Sequence, residues 1–152
     1  MTKNEVILAI EREWSAFVSI AESFEEEDRV RAGAIGQWNV YEGLLHVAAW
    51  DNDTILSVIR FEDSGAMPDW INQSGDDRDA LNESMIAERM NLDPSLIWSH
   101  FRTAHLSLID FLETCTEHIF IEGSFTADAI TTGTWKHYQA HGKDFTRFKE
   151  SF

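Results

Sequence analysis

The chain has 152 residues, enough for one domain with a sizeable core, and 43% of them are hydrophobic, an ordinary share for a globular fold. Its net charge is −15 at a pI near 4.6. Such a surface repels phosphate backbones and anionic lipid, so neither nucleic acid nor a membrane is expected as a partner. The single cysteine, Cys115, excludes an internal disulfide framework. No apolar run reaches the roughly 18 residues of a membrane span, and Met1-Thr-Lys-Asn-Glu5 lacks the pattern of a signal peptide. The expected location is a reducing cytoplasm.

Between Asn4 and Phe24, Val6, Ile10, Trp14, Phe17, Ala21 and Phe24 recur at steps of three and four, the stripe of a one-faced helix. The acidic run Glu25–Asp28 then reads as a solvated loop. Asn39 with Glu42 three residues later forms a capping-box signature. It opens a long helix to about Phe61, whose apolar members are Tyr41, Leu44, Leu45, Ala48, Ile55, Leu56 and Ile59. Residues 65–79, with their glycines, Pro68 and several aspartates, read as a loop, and a short helix is expected over 80–90.

Asp93-Pro94 is a second start signal, an N-cap followed by proline in the first turn. Ile97, Phe101, Ala104, Leu108, Phe111 and Cys115 give the third long stripe. Cys115 ends that stripe and reads as a small buried hydrophobe rather than a nucleophile. Residues 117–133 suggest a loop or a short pair of strands. A fourth long helix is expected over 132–149. Four long amphipathic helices, one minor helix and long crossover loops predict an all-α four-helix bundle, a single domain over 1–152.

His137 and His141 lie four residues apart at the start of the last helix, which aims two imidazoles at one spot on one face. That face also carries Phe145 and Phe148 and therefore points inward. Buried imidazoles need hydrogen bonds or a metal. Two of them one turn apart suit a helical ligand pair, or two core histidines bonded to protein groups. A third ligand has two candidates. His46 on the second helix falls away from the centre of the apolar arc, beside Glu42, Asp53 and Arg60. His105 lies on the buried stripe of the third helix.

Trp38-Asn-Val-Tyr-Glu-Gly-Leu-Leu-His46-Val-Ala-Ala-Trp-Asp51 resembles the second-helix signature of the DinB-like four-helix bundles. Thr134-Trp-Lys-His137-Tyr-Gln-Ala-His141 resembles their fourth-helix signature. Together with Asp79-Ala-Leu-Asn-Glu83, this wording is most similar to the ClbS/DfsB branch. The resemblance implies a divalent metal, zinc, nickel or manganese, held by His46, His137 and His141. It implies a small-molecule substrate and a homodimer. Activities in the superfamily include thiol-dependent transferases and isomerases. The ClbS-like branch is associated with self-protection by hydrolytic opening of a reactive cyclopropane, without an obvious metal requirement.

The functional expectation is therefore a small-molecule hydrolase or thiol-dependent transferase in detoxification or self-resistance. The alternative is a metal-free protein that sequesters a reactive small molecule. Glu42, one turn before His46, and Asp144, one turn after His141, are candidates to orient a ligand or act as general base, with helix-surface carboxylates as the plain alternative. Tyr138 is a candidate catalytic group. With Trp38, Trp50 and Trp135 it could wall a pocket or simply pack the core.

Overall fold

The computed structural model describes residues 1–152. Every regular element is helical: α1 (Lys3–Glu22), α2 (Glu26–Arg29), α3 (Val40–Ser64), α4 (Gly75–Ile86), α5 (Pro94–Thr114), α6 (Phe125–Gly133) and α7 (Trp135–Glu150). No helix is long and apolar enough to cross a membrane.

Local chemistry sets the ends of the long helices. Thr2 caps α1 by accepting the Glu5 N–H. At the head of α3, the Asn39 side chain accepts the Glu42 N–H, and Glu42 accepts the Asn39 N–H. The far end of α3 stops at Gly65, whose φ of +73° only glycine adopts without strain. Pro94 occupies the first turn of α5.

The expected stripe of α1 is buried apart from Trp14, which is half-buried. α1 packs chiefly on α7 and α3 chiefly on α5, and α3 also receives α4 and α6. The first part of α3 is consequently buried all round, from Val40 and Tyr41 through Leu45, His46, Val47 and Ala48. Towards its C-terminal end the helix leaves this surround, and Leu56 and Ile59 are each 47% exposed instead of lining the core.

Several expectations change. The acidic run Glu25–Asp28 includes the single-turn α2, where Glu26 accepts the Tyr41 hydroxyl at 2.7 Å. The loop over 65–79 ends early, because Ser74 accepts the Asp77 N–H and starts α4 at Gly75. Past Ile86 the helix tightens into a 3-10 turn over Ala87–Arg89, close to the expected end at 90.

Residues 117–133 form no strands. Ile119 and Phe120 are both buried while Ile121 is 60% exposed, a pattern incompatible with the alternating faces of a strand. They belong to a 3-10 turn over Glu117–Phe120. Ser124 then caps α6 through the Ala127 N–H. The chain breaks at Thr134 (φ −121°, ψ −99°), so α7 begins at Trp135 rather than at residue 132.

Candidate metal centre and its cavity

α7 offers His137 and His141 on successive turns, and α3 brings His46 between them. The three Nε2 atoms form a nearly equilateral triangle: His46 to His141 is 3.1 Å, His46 to His137 is 3.0 Å, and His137 to His141 is 2.9 Å. Their rings stand edge to face at 70° to 76°. His46, left aside by the helical projection, is only 4% exposed. It belongs to the fully surrounded part of α3, where the polar edge of the helix has nowhere to go but inward.

Three neutral imidazoles cannot satisfy one another in this triangle. Each Nε2 presents either a lone pair or an N–H, so at least two of the three must be alike and face each other unfavourably. A cation accepted by three lone pairs removes that conflict. Nitrogens each about 2.0–2.1 Å from one divalent ion lie roughly 3 Å apart, as these do. The three residues are the one histidine-rich cluster with ligand atoms converging within 4.8 Å.

Burial keeps the rings neutral and ready to ligate. His46 is pushed down to about 3, by burial first and by the neighbouring His141 charge second. His137 is pushed well below the ordinary range by burial and by the two other histidines. His141 is lowered by burial, and Asp144 works against that. Asp144 Oδ2 accepts the His141 Nδ1–H at 2.9 Å, which leaves the His141 Nε2 lone pair pointing at the triangle. The Nδ1 atoms of His46 and His137 are buried without partners.

The other sequence candidates go elsewhere. Glu42 is spent on the α3 cap. Tyr138 is 1% exposed, and its hydroxyl donates to Asp51 Oδ1 at 2.7 Å in the core. His105 stacks on Trp14, with ring centroids 4.0 Å apart, and meets Glu11 at 2.5 Å, far from the triangle in its partners. Cys115 is half-buried at the end of α5, and burial pushes its thiol up, away from thiolate character. Trp135 lines a separate crevice beside Met1 and Val6.

A cavity of about 290 Å³ opens onto the triangle. Its wall includes Trp50, Asp53, Trp70, Arg78 and Asn82 beside the three histidines. The Trp50 indole N–H donates to Asn82 at 2.8 Å and the Trp38 indole N–H to Glu83 at 2.8 Å, so two tryptophans tie α4 across the site. Trp38 covers His46 at 4.9 Å between ring centroids. Trp70 and Arg78 fall in the segment 65–79, whose composition reads as loop. The signal that recovers part of it is Ser74 followed by Asp76 and Asp77, an N-cap with acids in the first turn. Asp53 accepts from the Trp70 indole and the Ser57 hydroxyl, and burial raises its pKa above the usual carboxylate range.

No protein-family model matches the sequence, and no curated protein matches it. Solved structures do. The chain is similar to an uncharacterised Escherichia coli protein (TM-score 0.79, 14% identity, 99% of this chain and 94% of that one). It is similar to the colibactin self-resistance protein ClbS, solved in complex with a dsDNA (0.81, 12%, 99% and 97%). It is also similar to a Streptococcus pneumoniae protein (0.77, 12%, 99% and 91%). These likenesses establish the all-α fold over essentially the whole chain.

They also correct one expectation. The exclusion of nucleic acid rested on net charge, yet ClbS, with this fold, is solved with duplex DNA. Net charge averages over the whole surface, whereas a duplex meets one face of it, so the −15 total excludes nothing.

Proposed function

We propose that this protein is a small-molecule hydrolase or thiol-dependent transferase serving detoxification or self-resistance, with a divalent metal held by His46, His137 and His141. The observation that carries the reading is the Nε2 triangle, three neutral donors at ligand spacing beside a cavity. A divalent ion held by these three imidazoles would supply Lewis acidity and lower the pKa of a water or thiol bound to it. Asp144 fixes the tautomer and the orientation of His141. Trp38 and Trp50 flank the histidines, with ring centroids 4.9 Å from His46 and 6.5 Å from His137. Asp53, a carboxyl in the cavity wall with a raised pKa, suits proton transfer with the bound molecule. A homodimer, implied by the resemblance to the DinB-like bundles, belongs to the same proposal and is read by light scattering on the eluting protein.

The test is the metal content of tag-free protein beside His137→Ala. About one divalent ion per chain, lost in the variant with helicity unchanged, is the expected result. No uptake of zinc, nickel or manganese by the wild type removes the metal from the proposal. Product formation from a reactive electrophile at catalytic protein concentrations then separates turnover from stoichiometric sequestration.

A second reading is contact with duplex DNA, supported by the ClbS complex and by α7. In this acidic chain α7 gathers Lys136, Lys143, Arg147 and Lys149 against Asp144 and Glu150. A gel-shift titration of a short duplex at low salt, with Lys143→Glu/Arg147→Glu beside the wild type, decides it. Binding that weakens in the double variant and with added salt supports DNA contact; absence of binding at low salt ends this reading.

A further inference from the structure

The cavity beside the histidines has one Lys or Arg in its wall, Arg78 from α4. Its Nη2 donates to the Trp70 carbonyl at 2.6 Å. Its guanidinium carbon lies 4.9 Å from the Trp70 ring centroid and 5.9 Å from that of Trp50, so the cation is held against two indoles. Its Nε is buried and has no hydrogen-bond partner. Arg78 also joins none of the chain's ion pairs, although 27 acids face only 12 Lys and Arg.

Asp53, the one acid in the cavity wall, feels the Arg78 charge, which works to lower its carboxyl, but forms no ion pair with it and directs Oδ2 to the Trp70 indole and the Ser57 hydroxyl. A partly desolvated guanidinium served only by this indirect attraction is under-compensated, in a chain with carboxylates to spare. The planar fork of an arginine matches a carboxylate or phosphate through paired hydrogen bonds. Beside it, Trp50 and Trp70 meet edge to face at 5.2 Å and 79°, which makes an apolar corner. A pocket of about 290 Å³ sits at the small end of ligand-site volumes.

We propose that the cavity takes a small molecule bearing a carboxylate, seated on Arg78, with its apolar body in the Trp50–Trp70 corner and its reacting end towards the histidines. This rests on the small-molecule reading above and adds its substrate class. A monoanion is favoured over a phosphate dianion, because Asp53 shares the wall with the single cation Arg78.

The test titrates the full chain, kept metal-free with a chelator so that binding to zinc cannot mimic the effect. The probes are 3-phenylpropanoate, its neutral amide and phenyl phosphate, read by calorimetry or ligand-observed NMR. The acid should bind at least tenfold tighter than the amide. Arg78→Met should bring the acid down to the level of the amide and leave the amide unchanged, while Arg78→Lys keeps part of the preference. Equal binding of acid and amide by the wild type, which needs no variant, overturns the inference. So do an acid preference that survives Arg78→Met, no saturable binding of the acid, and tighter binding of phenyl phosphate. Carboxylate preference without zinc uptake keeps this inference and removes the metal; zinc uptake without carboxylate preference does the reverse.

Discussion

Tyr138→Phe is the most informative single perturbation of the core, because it deletes one oxygen and strands a buried acid. Asp51 is 0% exposed; its Oδ1 accepts the Tyr138 hydroxyl at 2.7 Å and its Oδ2 has no partner. Burial pushes the Asp51 carboxyl well above the usual range, and the Tyr138 hydrogen bond works against that shift. Removing the hydroxyl takes away the one side-chain hydrogen bond of a fully desolvated group, which costs about 1–3 kcal/mol. For a chain of this length about 2 kcal/mol lowers Tm by roughly 4–8 °C. Asp51→Val substitutes an apolar group of similar size, and in that background Tyr138→Phe should cost under about 0.5 kcal/mol, since neither partner is then polar. Urea unfolding of the four proteins, followed by circular dichroism, gives the coupling energy. A Tyr138→Phe cost within about 0.5 kcal/mol of zero, or an equal cost in both backgrounds, would refute the reasoning.

Asp144→Ala should weaken zinc binding by about 10–100-fold in competition with a chromophoric chelator, because His141 loses the acceptor that fixes its Nδ1–H; unchanged affinity would remove Asp144 from the site. The metal-free protein should lose stability on acidification. His46 sits at about 3 when folded and near 6.5 when unfolded, so the unfolded chain takes the proton first as pH falls. By pH 5 His46 alone removes about 2 kcal/mol. His137 and His141 shift in the same direction, and a denaturant midpoint that holds steady from pH 7 to 5 contradicts this. Gly133→Ala would drive its Cβ into Thr54 Oγ1, and the expected cost is about 1–3 kcal/mol, recovered when Thr54→Ala is added. An equal cost in both backgrounds would show that the clash is not its cause.

The shared triangle makes the site depend on two helices that do not carry equal information. His137 and His141 announce themselves, because four-residue spacing on a face with Phe145 fixes a pair of inward imidazoles before any tertiary contact is known. His46 does not. A projection of one helix assumes that one face is buried, whereas α3 near His46 is covered by several neighbours at once. The resemblance to the DinB-like signature names His46 where periodicity leaves it aside. Arg78 and Trp70 carry no periodic signal, since Trp70 lies in a 3-10 turn over Asp69–Asn72 and Arg78 in the polar first turn of α4, ahead of the stretch that reads as helix.

The sequence by itself determined the four long helices, through the Asn39–Glu42 box, the Asp93-Pro94 start and stripes spaced three and four apart. It also determined the two histidines of α7. These are local properties, fixed by hydrogen bonds and side-chain directions within a few residues. The tertiary structure alone decided that the polar edge of α3 carrying His46 is buried against His137 and His141, that Tyr138 is committed to Asp51, and that Arg78 lies beside two tryptophans without an ion pair. Those outcomes depend on which surfaces meet. Burial, and with it the protonation and pairing of a polar group, belongs to the packed assembly of helices and not to any one of them.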